Sequence, residues 1–399
     1  MKARHILKIP ARINILGNPT DANEGDFHTI SAAISLFAGG VIEPAEKLTF
    51  QFLEKGDLDN PIDSITSLVG QIPFARDDKF KLFKATVSHL LRFYPGLKLE
   101  MEKNKVRVGI WTEAPRQSGL GGSSIIILLI LNALKEFYDL PKTELNDYVL
   151  AELTQRIEEI DLGVTCGFAD RYVPQMGGLV YVDYRGKLFH RNIYDEPFAT
   201  YERLNAPTQD MKFIVASSGV VRESGSVHSV LRGCYLLEYE KKRTYPDYRS
   251  LILEKFEEVA KTAWMGKILL LKGDLEAFGR LMNKNHRLVN EIMLYCGFEE
   301  GAGGANNLLI GAALDSGALG AKLTGAGAGG SVFALVRPRR EAQVFNAMKQ
   351  AAEKGGLSDA SFYRVSIVER GATVTKEDNQ GREEPEGKDV KDKSPAGGC

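Results

Sequence analysis

The sequence predicts an α+β protein of two domains. Strand-like and helix-like segments alternate as far as about residue 370, and no repeat of fixed period is visible. A chain of 399 residues is also longer than most single domains. We therefore expect a first domain at 1–205 and a second at 206–370, with a functional site between them.

The second half has the order of elements found in a ferredoxin-like sheet. Strands are expected near residues 211–217, 318–323, 331–336 and 362–368. A helix is expected at 340–354, and helices between 227 and 294 would be insertions in the same plan. The face of one inserted helix, expected to pack in the core, carries Leu275, Phe278, Leu281 and Met282. The order strand, helix, strand, strand, helix, strand is the split βαβ pattern.

The composition excludes some classes of partner. Hydrophobic residues make up 44% of the chain and charged residues 26%, and the formal net charge is −1. This balance gives no electrostatic reason to expect nucleic acid or an anionic membrane. The longest apolar run, Ile125–Leu131, is far shorter than the roughly 20 residues that span a bilayer. We expect neither nucleic acid nor membrane as a partner.

The location of the protein is predicted from its first residues and its cysteines. Residues 1–7 lack the apolar core and cleavage pattern of a signal peptide. The four cysteines are scattered without a CxxC pair, which indicates reduced thiols: Cys166, Cys234, Cys296 and Cys399. We expect a cytoplasmic protein.

Residues 371–399 differ from the rest of the chain. They are rich in charge, Gly and Pro and contain almost no large apolar side chains. Such a composition cannot offset the entropy of ordering. We expect this segment to be disordered and dispensable.

A glycine loop after the strand-like segment Val106–Thr112 is the most informative part of the first half. It runs from Pro115 to Ser124 and leads directly into a long apolar helix. Free N–H groups and the helix dipole make such a junction an anion site, and phosphate is its natural guest. The phosphate-binding candidates are Pro115, Ser118, Gly119, Leu120, Gly121, Gly122, Ser123 and Ser124.

This loop is not the common P-loop, because it lacks the G-x-x-x-x-G-K-[ST] pattern. On its own it is equally compatible with a tight turn whose serines cap an ordinary helix. Two further segments favour the phosphate interpretation. Pro10–Asp21 is a strand-like alternation that ends in a polar turn, and Lys322–Ser331 has more glycines than a hairpin turn needs.

Together these three segments resemble the signature motifs of the GHMP kinase superfamily, in the same order. The resemblance covers the chain up to the charged segment at 371–399. It implies an N-terminal domain like ribosomal protein S5, a ferredoxin-like C-terminal domain, ATP and Mg²⁺ as cofactors, and a small-molecule sugar as substrate. The third loop, which would close against the phosphates, contributes Gly325, Gly327 and Gly329.

The same resemblance implies roles for individual side chains. Ser123 matches a serine that helps to hold magnesium, and either Glu158 or Glu159 matches a glutamate ligand. Asp170 matches the aspartate that faces the reacting hydroxyl, and Arg12 is expected beside it and the transferring phosphate. Galactokinase spacing favours Glu158 and mevalonate kinase spacing favours Glu159, so the choice stays open.

The first motif resembles that of galactokinases, with Asn18-Pro19 in place of an acidic residue and a histidine, which argues against galactose itself. Asn18, Asp21 and Asp170 are the candidate contacts to the sugar. The motifs together resemble glucuronokinases, which implies a uronic acid such as glucuronate and its 1-phosphate as product. Arg116, like Arg222 and Arg232, could pair with the carboxylate.

Three alternatives remain at this level. One is a 1-kinase for another sugar or sugar phosphate, with a heptose phosphate foremost, and another is a non-catalytic sugar sensor of the same fold. The third is an ATP-dependent decarboxylase of the superfamily, against which the galactokinase-like first motif speaks. A monomer and a homodimer are both compatible with the sequence.

Overall fold

A computed structural model describes most of the chain as two packed domains of helices and sheet. The described residues are 3–23, 27–54, 56–69, 72, 74–75, 77–115, 118–187, 193, 195–206 and 210–377. Within them, no helix has the length and apolar composition needed to cross a membrane.

The strands, in chain order, are β1 (Arg4–Leu16), β2 (His28–Pro44), β3 (Leu48–Phe52), β4 (Asp63–Ser67), β5 (Val106–Thr112), β6 (Leu179–Asp183), β7 (Thr200–Arg203), β8 (Lys212–Ser217), β9 (Gly320–Thr324), β10 (Ser331–Val336), β11 (Ser361–Val365) and β12 (Thr373–Glu377). The α-helices are α1 (Lys81–Phe93), α2 (Leu97–Lys103), α3 (Gly122–Phe137), α4 (Asp147–Arg156), α5 (Ala169–Met176), α6 (Ser224–Thr244), α7 (Leu251–Leu271), α8 (Leu275–Tyr295), α9 (Gly304–Asp315) and α10 (Glu341–Lys354). Short 3-10 turns lie at Thr20–Ala22 and Pro338–Arg340, and a π-helical turn lies at Ile157–Asp161.

The first sheet belongs mainly to the N-terminal half. Its strands are ordered β12-β1-β2-β5-β3-β4, and β6 joins β2 to β7. The long strands β1 and β2 pair antiparallel with register shifts after Pro10 and after Asn14. Helix α3 packs on β1 and β2, and almost its whole circumference is buried. The long apolar helix predicted after the glycine loop is therefore confirmed.

The second sheet confirms the ferredoxin-like prediction. Its strands are ordered β11-β8-β10-β9, and all neighbouring pairs are antiparallel. Four helices, α6 to α9, separate β8 from β9 in the chain, as insertions would. The predicted apolar face of α8 is buried at Leu275, Phe278, Leu281 and Met282.

The two sheets are joined by a shared hydrophobic core. Helix α7 packs on β2 and β1, although it lies between strands of the second sheet in the chain. At Gly266 of α7 an added Cβ would stand 2.3 Å from Cδ1 of Leu16. Only a glycine allows the helix to approach β1 so closely.

The segment at 371–399, expected to be disordered from its first residue, begins with a strand. Strand β12 pairs antiparallel with β1, with Thr375 opposite Ile6 and Val374 opposite Leu7. The backbone N–H of Ala372 also donates to the carbonyl of Gln175 at 3.0 Å. The expectation was wrong for 373–377 because a short alternating segment can use a free sheet edge without large apolar side chains. Residues 378–399 lie outside the described residues.

This strand generates a prediction about truncation. Ending the chain after Gly371 should lower the Tm by roughly 2–6 °C, because cross-strand pairs worth about 1–2 kcal/mol are lost from the edge of β1. Ending it after Glu377 keeps β12 and should leave the Tm unchanged. Thermal unfolding of both truncated proteins decides the matter, and equal melting temperatures would remove β12 from the stable fold.

Candidate active site

The first glycine loop meets α3 through backbone that only glycine adopts readily. Gly121, the residue before the helix, has φ 85°, and Gly119 has φ 73°. Among the described residues, no side chain caps the first turn of α3. Its N–H groups are therefore left to bind a ligand, as an anion site requires.

The glycine loop that contains Gly325, Gly327 and Gly329 lies directly against the loop before α3. It is called the third glycine loop because it belongs to the third motif. An added Cβ at Gly325 would stand 2.8 Å from the carbonyl oxygen of Gly119, and one at Gly330 would stand 3.2 Å from that of Ser118. Two backbones can approach this closely only where side chains are absent. The structure thus brings together the two glycine loops, and their contact with phosphates stays a prediction.

The buried side chain of Arg12 and the partly exposed side chain of Asp170 form an ion pair next to these loops. Arg12 lies on β1 and Asp170 in the first turn of α5. Nε of Arg12 donates to Oδ1 of Asp170 at 2.6 Å, and Nη2 lies 2.5 Å from Oδ2. Nη1 of Arg12 donates to the carbonyl of Gly119 at 2.6 Å. One guanidinium therefore joins the predicted catalytic carboxylate to the predicted phosphate loop.

The surroundings of Asp170 keep it ionised. Burial by itself would raise the pKa of Asp170, but the positive charges of Arg12 and Arg171 outweigh burial and hold this pKa well below its usual range. Hydrogen bonds from Arg12 and Asn14 act in the same direction. Asp170 can therefore accept a hydrogen bond from a hydroxyl, and it is a weak base.

The two candidate metal-binding glutamates occupy different places. Both lie in the π-helical turn Ile157–Asp161. Glu158 is buried, accepts a hydrogen bond from Oγ of Ser124 at 2.8 Å and is paired with Arg171, whose Nε lies at 2.8 Å. Glu159 instead accepts from the backbone N–H of Cys166 at 3.0 Å. Of these two glutamates, Glu158 is the one that bonds to the first turn of α3 within the described residues.

The predicted sugar contacts Asn18 and Asp21 have protein partners. Nδ2 of Asn18 donates to the carbonyl of Gly325 at 3.1 Å. Oδ2 of Asp21 accepts from the N–H groups of Phe168 and Ala169, both at 3.0 Å, where α5 begins. Burial raises the pKa of Asp21, and the nearby charge of Asp170 adds to this rise. In this structure both side chains fix the loops and the helix around Asp170, and contact with a sugar stays a prediction.

The arginines proposed for a substrate carboxylate are in unequal positions. Arg116 lies outside the described residues. Arg232 donates to the carbonyls of Ala22 and Cys166, at 2.6 and 2.9 Å, and to Oε1 of Glu159 at 2.6 Å. Arg222 is exposed and donates only through Nε, to the carbonyl of Ala328 at 3.2 Å, among the residues the structure describes. Arg222 is thus the described candidate with terminal amino groups to spare.

Several functional side chains were missed by sequence reasoning. Lys322 is fully buried in β9, and its Nζ donates to Asn14 O, Asn18 Oδ1 and Leu323 O at 3.0, 2.9 and 2.8 Å. Burial, followed by the charge of Arg12, lowers the pKa of Lys322 to about 7. Arg171 pairs with Glu158, and Asn14 bonds to Asp170. For Asn14 a signal was available in the sequence. Asn14 lies two positions after Arg12 on one strand, and side chains two positions apart on a strand lie on the same face.

In the described part of the chain, no group of three or more His, Cys, Asp or Glu side chains is arranged to hold a metal ion. Ser123 is exposed at the first turn of α3, and Oε1 of Glu158 has no hydrogen-bond partner among the described residues. These oxygens suit Mg²⁺, which usually takes one or two protein ligands together with phosphate oxygens.

Two family models match the chain in the order of its domains. The model of the N-terminal domain of GHMP kinases matches residues 81–178, and that of the C-terminal domain matches residues 267–354. The first match covers the first glycine loop, both glutamates and Asp170. The second ends at the last residue of α10 and covers the third loop.

Individual proteins with similar sequences or structures agree with these matches. A D-glycero-alpha-D-manno-heptose 7-phosphate kinase from Campylobacter jejuni is 25% identical over 366 residues, which cover 90% of this chain and 96% of that protein. A probable glucuronokinase 2 from Arabidopsis thaliana is 29% identical over 330 residues, covering 81% and 82%. The crystal structure of Lactococcus lactis galactokinase with galactose superimposes with a TM-score of 0.71 at 21% identity, covering 93% of this chain and 95% of that one. With both domain models matched in order and the fold shared across almost its whole length, the chain belongs to the GHMP kinase superfamily.

Proposed function

We propose that this protein transfers the γ-phosphate of ATP to the anomeric hydroxyl of a sugar, giving a sugar 1-phosphate and ADP. The observation that carries the proposal is the position of Arg12. Its guanidinium binds Asp170 through two nitrogens and the carbonyl of Gly119 through the third. The side chain of Arg12 therefore links the group that would orient the hydroxyl to the loop that would hold the phosphates.

The chemistry follows from the state of Asp170. The ionised carboxylate accepts the hydrogen bond of the sugar hydroxyl and so aims a lone pair of its oxygen at the γ-phosphorus. The new oxygen–phosphorus bond forms as the bond between the γ-phosphorus and the bridging oxygen breaks, and ADP leaves with the electron pair. Because the pKa of Asp170 is held low, we expect the hydroxyl proton to pass to Asp170 late, once the new oxygen–phosphorus bond has made that hydroxyl acidic.

The phosphates would lie on the first turn of α3, with the loop that contains Gly325, Gly327 and Gly329 on their other side. Ser123 and Glu158 are the residues that would hold Mg²⁺ there. The ion, when bound, neutralises charge on the phosphate oxygens. Ser124 keeps Glu158 at the helix N-terminus, and Arg171 balances its charge while no metal is bound.

The substrate proposed first is a hexuronic acid, glucuronate before galacturonate. Support comes from the motifs that resemble those of glucuronokinases, from the similarity to the plant protein, and from the spare amino groups of Arg222. A heptose phosphate is the second candidate, because the heptose 7-phosphate kinase is matched over 96% of its length. Both substrates carry an anionic group that an arginine can pair with.

Replacing the proposed catalytic carboxylate gives the first test. Asp170→Asn should lower kcat by roughly 100-fold or more and leave ATP binding nearly unchanged, because the amide cannot take the proton. Turnover is measured by coupled ADP release, and ATP binding by calorimetry. The wild-type protein should show no loss of rate from Asp170 between about pH 8 and pH 5, because its lowered pKa keeps the carboxylate charged throughout. Near-normal turnover of a folded Asp170→Asn protein would remove this residue from the mechanism.

The two neighbouring glutamates provide a matched pair for the metal. Glu158→Gln should raise the Mg²⁺ concentration needed for half the maximal rate by about 10- to 100-fold, since a group that holds the ion is lost. Ser123→Ala should act in the same direction. Glu159→Gln, the control, should leave the requirement within about twofold. Identical magnesium titrations of all variants would contradict the assignment, and melting temperatures show whether each variant is folded.

The substrate proposal is tested by comparing kcat/KM for glucuronate, galacturonate, glucose, galactose and a heptose 7-phosphate. Neutral sugars should be about 10- to 150-fold poorer than the preferred anion, because they leave a cation unpaired. Arg222→Met should remove most of this difference. An equal loss for every sugar in Arg222→Met would place Arg222 at the phosphates, and a neutral sugar that outperforms every anionic one would overturn the proposed specificity.

A further inference from the structure

We infer that Asn14 is a positioning residue that couples the third glycine loop, in the second domain, to the Asp170 carboxylate in the first. The inference rests on the proposed function, in which Asp170 contacts the acceptor hydroxyl. It adds a residue for which neither motif resemblance nor charge suggested a role.

The side chain of Asn14 fixes one oxygen of the carboxylate. Nδ2 of Asn14 donates to Oδ1 of Asp170 at 3.1 Å, and Oδ1 of Asn14 accepts from Oγ of Ser31 at 2.9 Å. The ionised carboxylate can only accept, so it sets which end of the amide faces Asp170, and the serine hydroxyl holds the other end. A rotated amide would place its oxygen against the carboxylate and lose that hydrogen bond.

This arrangement selects the oxygen that is left for a substrate. Oδ1 of Asp170 already accepts from Nε of Arg12 as well as from Asn14. Oδ2 faces Nη2 of Arg12, while Nη1 of Arg171 is 3.9 Å away, too far for a hydrogen bond. Asn14 thus occupies the second acceptor position of Oδ1 and leaves Oδ2 to receive the hydroxyl proton.

The backbone of Asn14 is held by the other domain. Its N–H donates to Oγ1 of Thr324 at 3.1 Å, and its carbonyl accepts from Nζ of Lys322 at 3.0 Å. Strand β12 covers β1 only along Arg4–Lys8, so side chains of β9 satisfy the edge of β1 at Asn14. Thr324 directly precedes the loop that begins at Gly325, and Lys322 lies two residues before Thr324.

Lys322 makes the connection stiff. In the part of the chain that the structure describes, its buried amino group has three hydrogen-bond acceptors, all neutral oxygens, from Asn14, Asn18 and Leu323. A buried polar group that loses its hydrogen-bond partners is destabilised, with or without a charge. A displacement of β9 with its glycine loop must therefore displace the backbone of Asn14, whose side chain bears on Asp170.

The decisive experiment is a double-mutant cycle with Asp170→Asn. Asn14→Ala should lower kcat by about 10- to 100-fold with the KM for ATP within about twofold, because a hydrogen bond to a charged group is lost. In the Asp170→Asn background the same change should cost less than about twofold, since nothing remains to be positioned. Ser31→Ala, a milder variant, should show a smaller loss with the same dependence on background. The control is Asn60→Ala, which removes an exposed asparagine that donates to Asp57 at 2.8 Å and should change nothing.

Hydrogen exchange followed by mass spectrometry tests the coupling without any substrate. Asn14→Ala should accelerate amide exchange in peptides that cover 166–172 and 320–331. Thr324→Val, made in the second domain, should accelerate exchange at 166–172 in the first. Equal losses of kcat in both backgrounds, or unchanged exchange at 166–172 in Thr324→Val, would overturn the inference. If the wild-type protein phosphorylates no sugar, the proposed function fails, and the exchange data still decide whether Asn14 couples the two domains.

Discussion

The buried guanidinium of Arg12 is the group on which the arrangement of the site depends. Only 1% of this side chain is exposed, and a charge removed from water costs several kcal/mol unless its hydrogen bonds are made. Those bonds go to Asp170 and to the carbonyl of Gly119, so strand β1, helix α5 and the glycine loop before α3 are fixed relative to one another. A shift of any one of these elements would leave a buried charge without its partners.

Three acidic side chains of the candidate site are each paired with an arginine. Arg12 pairs with Asp170 and Arg171 with Glu158, while Arg232, from helix α6 of the second domain, pairs with Glu159. A metal ion at Glu158 would therefore share this carboxylate with Arg171. The pairing at Glu159 serves a different purpose, because it ties the second domain to the π-helical turn of the first.

Local sequence patterns were sufficient for the ferredoxin-like order, because each of its strands carries its own apolar residues and each glycine loop its own signature. They did not reveal the hydrogen-bond partners of Asn18 and Asp21, because these partners are separated from them in sequence by 307 and 147 positions. The difference between Glu158 and Glu159 depends on a π-helical turn, for which the spacing of carboxylates gives no signal. Strand β12 was missed because composition indicates how much apolar surface a segment can bury. It does not show which sheet edge is free to pair with that segment.

The pairing of β12 with β1 has a consequence for synthesis on the ribosome. Strand β1 emerges early, whereas β12, which covers the outer edge of β1, emerges only after the whole second domain. Until then the backbone groups of Arg4–Lys8 on that edge are open to pairing with any extended chain nearby. The nascent protein therefore has an unpaired sheet edge for most of its translation. Slow elongation or delayed release would favour association between neighbouring chains on one polysome.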